Sequence, residues 1–291
     1  MLRSILIYNP TAGQRRHGRV MSRLLAALSR GGFQVEPAAT RCPGDATVLA
    51  REAVREGVER VFVYGGDGTV REAAVGLQSS EVPLGILPGG TTNVLGRALG
   101  LPSSPVHTAE RMELFRPQRF DIGVCGTTPF LMMASSGLDA EVMGNLDPGL
   151  KAQLGQLGVL VGGLSRWWRY DYPEIQLSAD GEPSSATLAV ASNIALYAGP
   201  YRIAPEARWD DGMLDLVLFQ GRARRAALAF AASLAVGRHT SRSDVEIRRV
   251  REVVIEGPLG LSLQVDGDPC QEPLPARLSV SPDPVWMLAP E

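Results

Sequence analysis

Residues 61–70 read VFVYGGDGTV, which is an apolar run, a glycine-rich turn and the start of a helical pattern that continues to Leu77. The glycines let the backbone turn sharply and approach a ligand without Cβ clashes. The helix that follows presents unpaired N–H groups and the positive end of its dipole. This arrangement is typical of phosphate binding, although a tight turn without a ligand has the same pattern. It is neither a P-loop, which requires Gly-Lys-Ser/Thr, nor a GxGxxG motif.

The chain on both sides of this segment alternates strand and helix patterns. The strand patterns cover residues 5–8, 33–35 and 83–87, and the helical patterns cover residues 20–28, 45–54 and about 92–99. Repeated β-α units predict a parallel sheet with right-handed crossovers. We therefore predict an α/β first domain over residues 1–120.

Strand patterns dominate the rest of the chain. They cover residues 121–124, 130–133, 174–177, 186–191, 214–219, 253–255, 262–265 and 277–280, with helical patterns at about 150–168 and 224–235. Many strands and few helices predict an antiparallel β-sandwich. We assign this second domain to residues 121–291, and the sequence leaves open whether the proline-rich tail from Pro282 packs back on the first domain.

Composition and charge exclude several classes of protein. The formal net charge of −2 argues against a general nucleic-acid binder, which needs a strong basic excess. Three separated cysteines without a CxxC motif predict reduced thiols in a cytoplasmic protein, and the scattered histidines form no His/Cys metal pattern. The N-terminus lacks a signal-peptide pattern, and no apolar run reaches the roughly 18 residues of a spanning helix. If the protein acts on lipid, we expect it to work at the membrane surface.

Two further turns have the same strand-before-helix context as residues 65–69. Residues 87–93 read LPGGTTN, and residues 9–13 read NPTAG. The carboxyl ends of parallel strands lie at one sheet edge, where open α/β sheets bind ligands, so we expect all three loops at one site. Three such loops favour a phosphate-binding site over three unrelated turns.

Taken in chain order (9–13, 65–69 and 88–93), the three loops resemble the nucleotide-site motifs of the diacylglycerol kinase catalytic-domain family, which includes bacterial lipid kinases, sphingosine kinases and ceramide kinases. The resemblance continues at residues 137–140 (GLDA), 203–215 (IAPEARWDDGMLD) and 266–268 (DGD). NAD kinases and phosphofructokinases share the first glycine motif alone, so the complete series is the more specific signal.

The resemblance implies an NAD-kinase-like first domain, a β-sandwich second domain and an active site between them. It implies that ATP contacts Asn9, Thr40, Gly65, Gly66, Asp67, Gly68, Thr69 and Thr91. Asp67 would organise the catalytic Mg²⁺ and the phosphates. Asp211 matches an aspartate that binds a structural Mg²⁺, helped by backbone carbonyls at about Arg208 and Met213. A hard cation prefers such oxygen ligands.

The last motif of the series is implied to supply the general base, and here it departs from the usual pattern. Asp268 stands where the family usually has glutamate, so the carboxylate is kept on a side chain shorter by one methylene. The alternative is that residues 266–269 (DGDP) are only a hairpin turn, a common use of Asp-Gly. A second departure from the family pattern is at residues 198–200, which read AGP where the family usually has a run of glycines. The loop before residue 203 is therefore expected to differ in shape from that of the family.

Two groups of residues are candidates for membrane contact. Trp167 and Trp168, next to Arg166, are suited to a membrane interface, but they are equally suited to a core. Arginines are frequent at positions 222–251 and would favour anionic lipid, or they are ordinary solvated side chains.

Three charged residues have weaker assignments. Asp139 either orients substrate or has a role in a turn or core. Arg15 and Arg16 follow the first loop, where they either touch phosphates or belong to a surface loop.

The best-supported hypothesis is an ATP- and Mg²⁺-dependent kinase that transfers the γ-phosphate to the hydroxyl of a membrane lipid. A diacylglycerol-like lipid is the first candidate for this acceptor. The alternatives are a kinase of a soluble acceptor such as NAD and a non-catalytic nucleotide- or lipid-binding regulator. We expect a cytoplasmic protein that contacts an anionic membrane surface transiently and does not bind nucleic acid. The sequence does not decide between a monomer and a homodimer, nor does it identify the lipid.

Overall fold

The computed structural model describes residues 1–10, 17–145 and 169–290. Contacts within the chain define two compact units. The first comprises Met1–Phe120 together with the chain from Pro282 onward, and the second comprises Asp121–Ser281.

The first unit is built on a six-stranded sheet with the order β2-β1-β3-β4-β20-β5. Its strands are β1 (Leu2–Tyr8), β2 (Phe33–Ala39), β3 (Arg60–Gly65), β4 (Leu84–Pro88), β5 (Arg116–Phe120) and β20 (Val285–Ala289). All neighbours are parallel except β5, which runs antiparallel to β20. The predicted parallel sheet of the first domain is therefore confirmed.

Helices lie between successive strands from β1 to β5. They are α1 (His17–Arg30), α2 (Asp45–Arg55), α3 (Asp67–Leu77), α4 (Val94–Ala98) and α5 (Pro105–Arg111), and α5 is followed by a 3-10 turn (Met112–Leu114). In β3, Val61, Phe62 and Val63 are fully buried. This is why the strand is a continuous apolar run rather than an alternating one, since parallel sheets are covered on both faces.

Strand β20 decides where the C-terminal tail belongs. It lies between β4 and β5 in the first unit's sheet, so the second unit ends before Pro282 and the tail packs on the first unit, the alternative that the sequence left open beside the range 121–291. The physical reason is burial, because Val285 and Met287 have no exposed surface in this sheet. Helix α5 was not predicted, although its Ser104 N-cap and Pro105 at the first helical position are start signals.

The second unit contains two six-stranded antiparallel sheets. Their orders are β10-β9-β16-β19-β6-β7 and β15-β14-β11-β8-β17-β18. The first sheet has strands β6 (Gly123–Cys125), β7 (Thr128–Phe130), β9 (Ile175–Ala179), β10 (Glu182–Ala186), β16 (Glu252–Gly257) and β19 (Ala276–Val280). The second has β8 (Met133–Gly137), β11 (Leu188–Ser192), β14 (Leu214–Phe219), β15 (Val245–Val250), β17 (Leu263–Val265) and β18 (Asp268–Cys270).

One hydrophobic core joins the two sheets. Phe130 and Leu278 from the first sheet and Leu216 and Leu263 from the second belong to the same buried cluster. The predicted β-sandwich is therefore confirmed. Outside the sheets lie a two-stranded ribbon, β12 (Leu196–Tyr197) with β13 (Tyr201–Arg202), the helices α6 (Leu138–Gly144) and α7 (Arg224–Ala235), and a 3-10 turn (His239–Ser241).

The predicted strand at residues 130–133 is wrong as a single element. Phe130 ends β7 in one sheet and Met133 begins β8 in the other. The chain changes sheet here because the N–H groups of Leu131 and Met132 donate to the Asp266 carboxylate, both at 2.8 Å, rather than to a neighbouring strand. The helix expected at about 150–168 lies outside the described residues. None of the helices in the described ranges has both the length and the apolar character needed to cross a bilayer.

Candidate functional site

Strand register in the first unit brings the candidate nucleotide residues to one sheet edge. Tyr8 at the end of β1 is level with Tyr64 in β3, and Gly65 is level with Pro88 in β4. Backbone hydrogen bonds continue past the strand ends, with N–H donated by Asn9 to Tyr64 O at 3.2 Å, by Thr40 to Tyr8 O at 2.9 Å and by Gly89 to Gly65 O at 2.9 Å. Asn9, Thr40 and the two glycine-rich loops therefore lie side by side. Thr11, Gly13, Arg15 and Arg16 lie outside the described residues.

We call residues 65–69 glycine loop 1 and residues 88–93 glycine loop 2. The two loops touch backbone to backbone, because a Cβ placed on Gly90 would lie 2.7 Å from Gly66 Cα. A Cβ on Gly65 would lie 2.9 Å from Thr69 Cβ. Glycine at these positions is thus required by the close approach of the chain, which leaves a surface of main-chain atoms at the sheet edge.

Asn93 holds the shape of glycine loop 2. Its backbone is left-handed, with φ of 44°, and its side chain accepts from Gly90 N at 2.8 Å and donates to Gly90 O at 2.7 Å. Asparagine tolerates this conformation better than most residues, because its short amide can bond locally. Thr91, expected to contact the nucleotide, is exposed in the same loop.

Asp67 links the two glycine loops. It begins α3 in loop 1, and its carboxylate accepts from Val94 N at 3.1 Å and Leu95 N at 3.2 Å, at the start of α4 beyond loop 2. Burial raises the pKa of Asp67, and these backbone donors oppose that rise. The sequence suggested a phosphate- and metal-organising residue here, but gave no sign of this connection.

The 266–268 motif contains both a hairpin turn and an accessible carboxylate. Asp266 and Gly267 have φ of 51° and 83° and connect β17 to β18, as the hairpin interpretation predicts. Asp268 begins β18 opposite Val265 and is partly exposed. The turn thus accounts for the first two residues of the motif, while the third presents its carboxylate next to the turn.

Asp139 is the centre of a polar network that reaches this hairpin. Its carboxylate accepts from Ser135 Oγ at 2.5 Å, Tyr197 OH at 3.0 Å and Gln264 Nε2 at 3.4 Å. Gln264 also donates to Ser135 Oγ at 2.6 Å and accepts from Gly267 N at 2.7 Å. Asp139 therefore helps to fix the backbone directly before Asp268, and Ser135, Tyr197 and Gln264 are site residues that the sequence did not reveal.

Burial raises the pKa of Asp139 above its ordinary value, despite four donors that lower it. An unfolded aspartate titrates near pH 4, so the folded chain holds this proton more tightly than the unfolded chain does. The contribution of Asp139 to stability is therefore largest at low pH and falls as pH rises from about 4 through the folded pKa.

Asp139→Asn removes this titration. We expect the free energy of unfolding of the wild type, relative to that of Asp139→Asn, to decrease as pH rises through this window and then to level off. Urea unfolding of both proteins between pH 4 and pH 8 measures the difference. An increase with pH would mean that the donors outweigh burial and that the pKa is lowered instead.

The loop around Asp211 is the candidate structural metal site. Asp211 Oδ1 accepts from Met213 N at 3.1 Å, while Oδ2 is buried and has no hydrogen-bond partner among the described residues. The guanidinium of Arg249 lies near Oδ2, with Nη1 at 3.5 Å. Gly212, with φ of 72°, shapes the turn and donates its N–H to Asp121 Oδ2 at 2.6 Å. A buried carboxylate oxygen without a donor suits a hard cation.

The charged side chains around this loop limit the ligands that it can supply. Asp215 lies directly across from Arg249 in the sheet, and burial raises the pKa of Asp215 although Arg249 opposes that rise. The Arg208 side chain pairs with Asp210 at 3.2 Å. Because a guanidinium has no lone pair to offer a metal, Arg208 could bind one only through its backbone carbonyl. No three His, Cys, Asp or Glu side chains of the described residues converge as a metal cluster. A cation here would depend on Asp211, backbone carbonyls and water.

The remaining candidates are only partly described. Trp167 and Trp168, with Arg166, lie outside the described residues. Cys125 and Cys270 are free and buried, whereas Cys42 is free and exposed.

Comparison with known proteins gives two family matches that together cover almost all of the chain. Residues 3–125 match the diacylglycerol kinase catalytic domain. Residues 132–289 match the YegS C-terminal NAD kinase beta sandwich-like domain.

Individual relatives align over most of their own length. A protein of Staphylococcus carnosus (strain TM300) named diacylglycerol kinase is 29% identical over 271 residues, covering 91% of this chain and 88% of the relative. A protein of Bacillus subtilis (strain 168) with the same name is 28% identical over 274 residues, covering 92% and 90%. A crystal structure from Bacillus anthracis str. Sterne, provisionally named a diacylglycerol kinase, superposes with a TM-score of 0.83 at 25% identity, covering 99% of this chain and 95% of that one.

Proposed function

The chain belongs to the family that joins a diacylglycerol kinase catalytic domain to a YegS C-terminal NAD kinase beta sandwich-like domain, and we propose that it is an ATP- and Mg²⁺-dependent lipid kinase. The observation that carries the proposal is the contact of two glycine loops at one sheet edge, joined by the Asp67 carboxylate. A diacylglycerol-like lipid is the first candidate acceptor, because relatives that align over most of the chain have that name.

The glycine loops are proposed to bind the nucleotide phosphates through main-chain N–H groups. The first N–H groups of α3 have no acceptor within the helix, and the helix dipole favours an anion there. Glycine loop 2 adds main-chain atoms beside them, at the Gly66–Gly90 contact. Asn9, Thr40, Thr69 and Thr91 are proposed to contact the same nucleotide.

Asp67 is proposed to organise both the loops and the catalytic metal. Each of its carboxylate oxygens accepts one N–H, and a carboxylate oxygen has a second lone pair for a cation. When bound, Mg²⁺ supplies positive charge that neutralises phosphate oxygens during phosphoryl transfer.

Asp268 is proposed as the general base that takes the proton from the acceptor hydroxyl. Two features of Asp268 support this role, its carboxylate and the hydrogen bonds around it. It is a partly exposed carboxylate on a short strand, and the turn before it is fixed by the Asp266 carboxylate and by Gln264. A base needs a defined position, and these hydrogen bonds limit how far the β17–β18 hairpin can move.

The structural metal is proposed to bind Asp211 together with the carbonyls of Arg208 and Met213. Asp211→Ala removes both the proposed ligand and the acceptor of the Met213 N–H. We expect Mg²⁺ to raise the Tm of the wild type but not that of Asp211→Ala, and we expect the substitution itself to cost roughly 1–3 kcal/mol of stability. Thermal unfolding with Mg²⁺ and with EDTA measures both effects.

The matched control is Asp210→Ala. Its carboxylate is the neighbouring one and pairs with Arg208 at the surface, so its loss should leave the Mg²⁺ response unchanged. An Asp211→Ala protein with the wild-type Tm and the wild-type response to Mg²⁺ would remove Asp211 from the metal site.

The decisive experiment for the function is transfer of label from γ-labelled ATP to a panel of lipids in mixed micelles, with NAD tested without detergent. We expect labelled product from a lipid alcohol, and product that depends on Mg²⁺. Saturable labelling of NAD alone would favour a kinase of a soluble acceptor. Nucleotide binding without labelling of any acceptor would favour a regulator.

A further inference from the structure

Helix α7 presents an apolar face to solvent. Its inner side is anchored by Phe230 and Leu234, and the Phe230 ring stacks on Phe219 with centroids 4.7 Å apart. From Leu228 onward the exposed positions are all apolar, and we call them the α7 face: Leu228, Ala229, Ala231, Ala232, Ala235 and Val236. Helical periodicity places them together on the side opposite Phe230 and Leu234.

The composition of the α7 face is unusual for a surface helix. Such a helix normally places charged or polar residues on its outer side. Here Leu228 is 59% exposed and Val236 is 69% exposed. Apart from the buried Phe230 and Leu234, the residues between them are alanines and one polar residue, Ser233. The ribbon strand β13, which packs against α7, adds the exposed ring of Tyr201.

Positive charge surrounds this face. Residues 221–243 contain five arginines and no aspartate or glutamate. Arg222 pairs with Glu174 and Arg242 pairs with Asp244. Arg224 and Arg225 are exposed at the start of α7, and Arg238 is exposed just beyond its end. An exposed apolar surface bordered by arginines combines two attractions that hold proteins at a membrane surface, the burial of apolar side chains and the attraction of positive charge to anionic lipid.

We propose that the α7 face is the surface through which this protein docks on an anionic lipid bilayer. Leu228 and Val236 enter the boundary between headgroups and acyl chains, and Arg225 and Arg238 meet anionic headgroups. This docking surface rests on the proposed lipid kinase function, because a kinase of a membrane lipid has to reach its acceptor at a membrane.

A second copy of the chain fits the α7 face less well. A two-fold symmetric contact places the same patch on both copies. Antiparallel pairing of α7 would bring Arg224 and Arg225 of one copy towards Arg238 of the other, and parallel pairing would place each arginine near its own counterpart. Both arrangements bring like charges together without acidic partners from this segment, which is unfavourable.

The test is co-sedimentation of the full chain, without ATP, with vesicles of phosphatidylcholine alone or mixed with phosphatidylglycerol. We expect the wild type to bind the mixed vesicles more tightly, and binding to weaken with salt, because surface charge is screened. Leu228→Asp/Val236→Asp should reduce binding at least tenfold. Arg225→Gln/Arg238→Gln should reduce it about 30-fold on the mixed vesicles only, from the usual contribution of an arginine near an anionic surface.

The first unit supplies matched controls. Val48→Asp/Leu114→Asp alters two exposed apolar residues, 49% and 56% exposed, and Arg51→Gln/Arg55→Gln removes two exposed charges from α2. The proposal is overturned if the α7 variants bind vesicles as tightly as the wild type, or if the control variants lose as much binding as the α7 variants. It is also overturned if the wild type is a dimer that Leu228→Asp/Val236→Asp dissociates.

The failure of this proposal can be told apart from failure of the kinase proposal. Turnover of a short-chain diacylglycerol dispersed as monomers does not require a bilayer. An α7 variant that loses vesicle binding but keeps that turnover supports the docking surface. If no lipid is phosphorylated in any form, the kinase proposal fails, and the vesicle measurements still decide whether α7 docks.

Discussion

Asp268→Asn is expected to lower kcat by about 10²–10⁴-fold, the usual contribution of a general base. The substitution keeps the size and shape of the side chain and removes its basicity. Because the change is in the second unit and outside the glycine loops, nucleotide affinity should remain close to that of the wild type. The measurement is kcat and the KM for ATP with a saturating lipid acceptor, together with the Tm of the variant.

Two variants separate basicity from hairpin geometry. Asp268→Glu should keep partial or full activity, because the resemblance to diacylglycerol kinases implies that glutamate is the usual residue at this position. Asp266→Asn alters the acceptor of three N–H groups, from Leu131, Met132 and Met133. It should lower Tm and kcat together. Normal turnover in Asp268→Asn would move the base to another residue, with Asp67 the next candidate.

Local signals in the sequence predict the elements whose residues are adjacent in the chain. The apolar run of β3, the glycines after it and the helical periodicity of α3 are adjacent in the chain, so one window contains the whole strand–loop–helix unit. The boundaries of α7 were also predicted, because its periodic pattern ends at Val236-Gly237, and glycine is a common stop signal. The alternation of such units then fixed the parallel sheet, and with it the shared edge of the glycine loops.

Features that depend on pairing between distant segments have no local signal in the sequence. Gln264 and Ser135 are cross-strand partners because β17 pairs with β8, and no local pattern indicates that neighbour. The same limit hid the Asp139 network and the insertion of β20 between β4 and β5. The break at residues 130–133 has the same origin, since the side chain that causes it, Asp266, is far along the chain.

Asp211 shows a case in which the sequence identified a residue but missed its neighbour. The motif placed a cation-binding aspartate in the turn before β14. It gave no indication that Arg249 of β15 would lie 3.5 Å from the same carboxylate. A guanidinium so close competes electrostatically with any metal, so the Mg²⁺ affinity of this loop should depend on Arg249 as well as on its ligands.

Asp67→Ala is expected to abolish measurable turnover, and the structure gives two separate reasons. The variant loses a negative charge proposed to hold Mg²⁺ at the phosphates, and it leaves the N–H groups of Val94 and Leu95 without their acceptor. Each partly buried N–H left unpaired costs roughly 1–3 kcal/mol. We therefore expect a lower Tm in addition to the loss of activity, measured by thermal unfolding and by γ-phosphate transfer.

Two further variants decide which reason dominates. Asp67→Asn keeps one acceptor oxygen and removes the charge, so if the charge is essential, its turnover should be as low as that of Asp67→Ala while its Tm is closer to that of the wild type. Asn93→Ala is the matched control, because it releases Gly90 in glycine loop 2 without changing any charge. It should raise the KM for ATP more than it lowers kcat. Near-normal kcat in Asp67→Asn would limit Asp67 to joining the glycine loops and would assign the catalytic metal to other ligands.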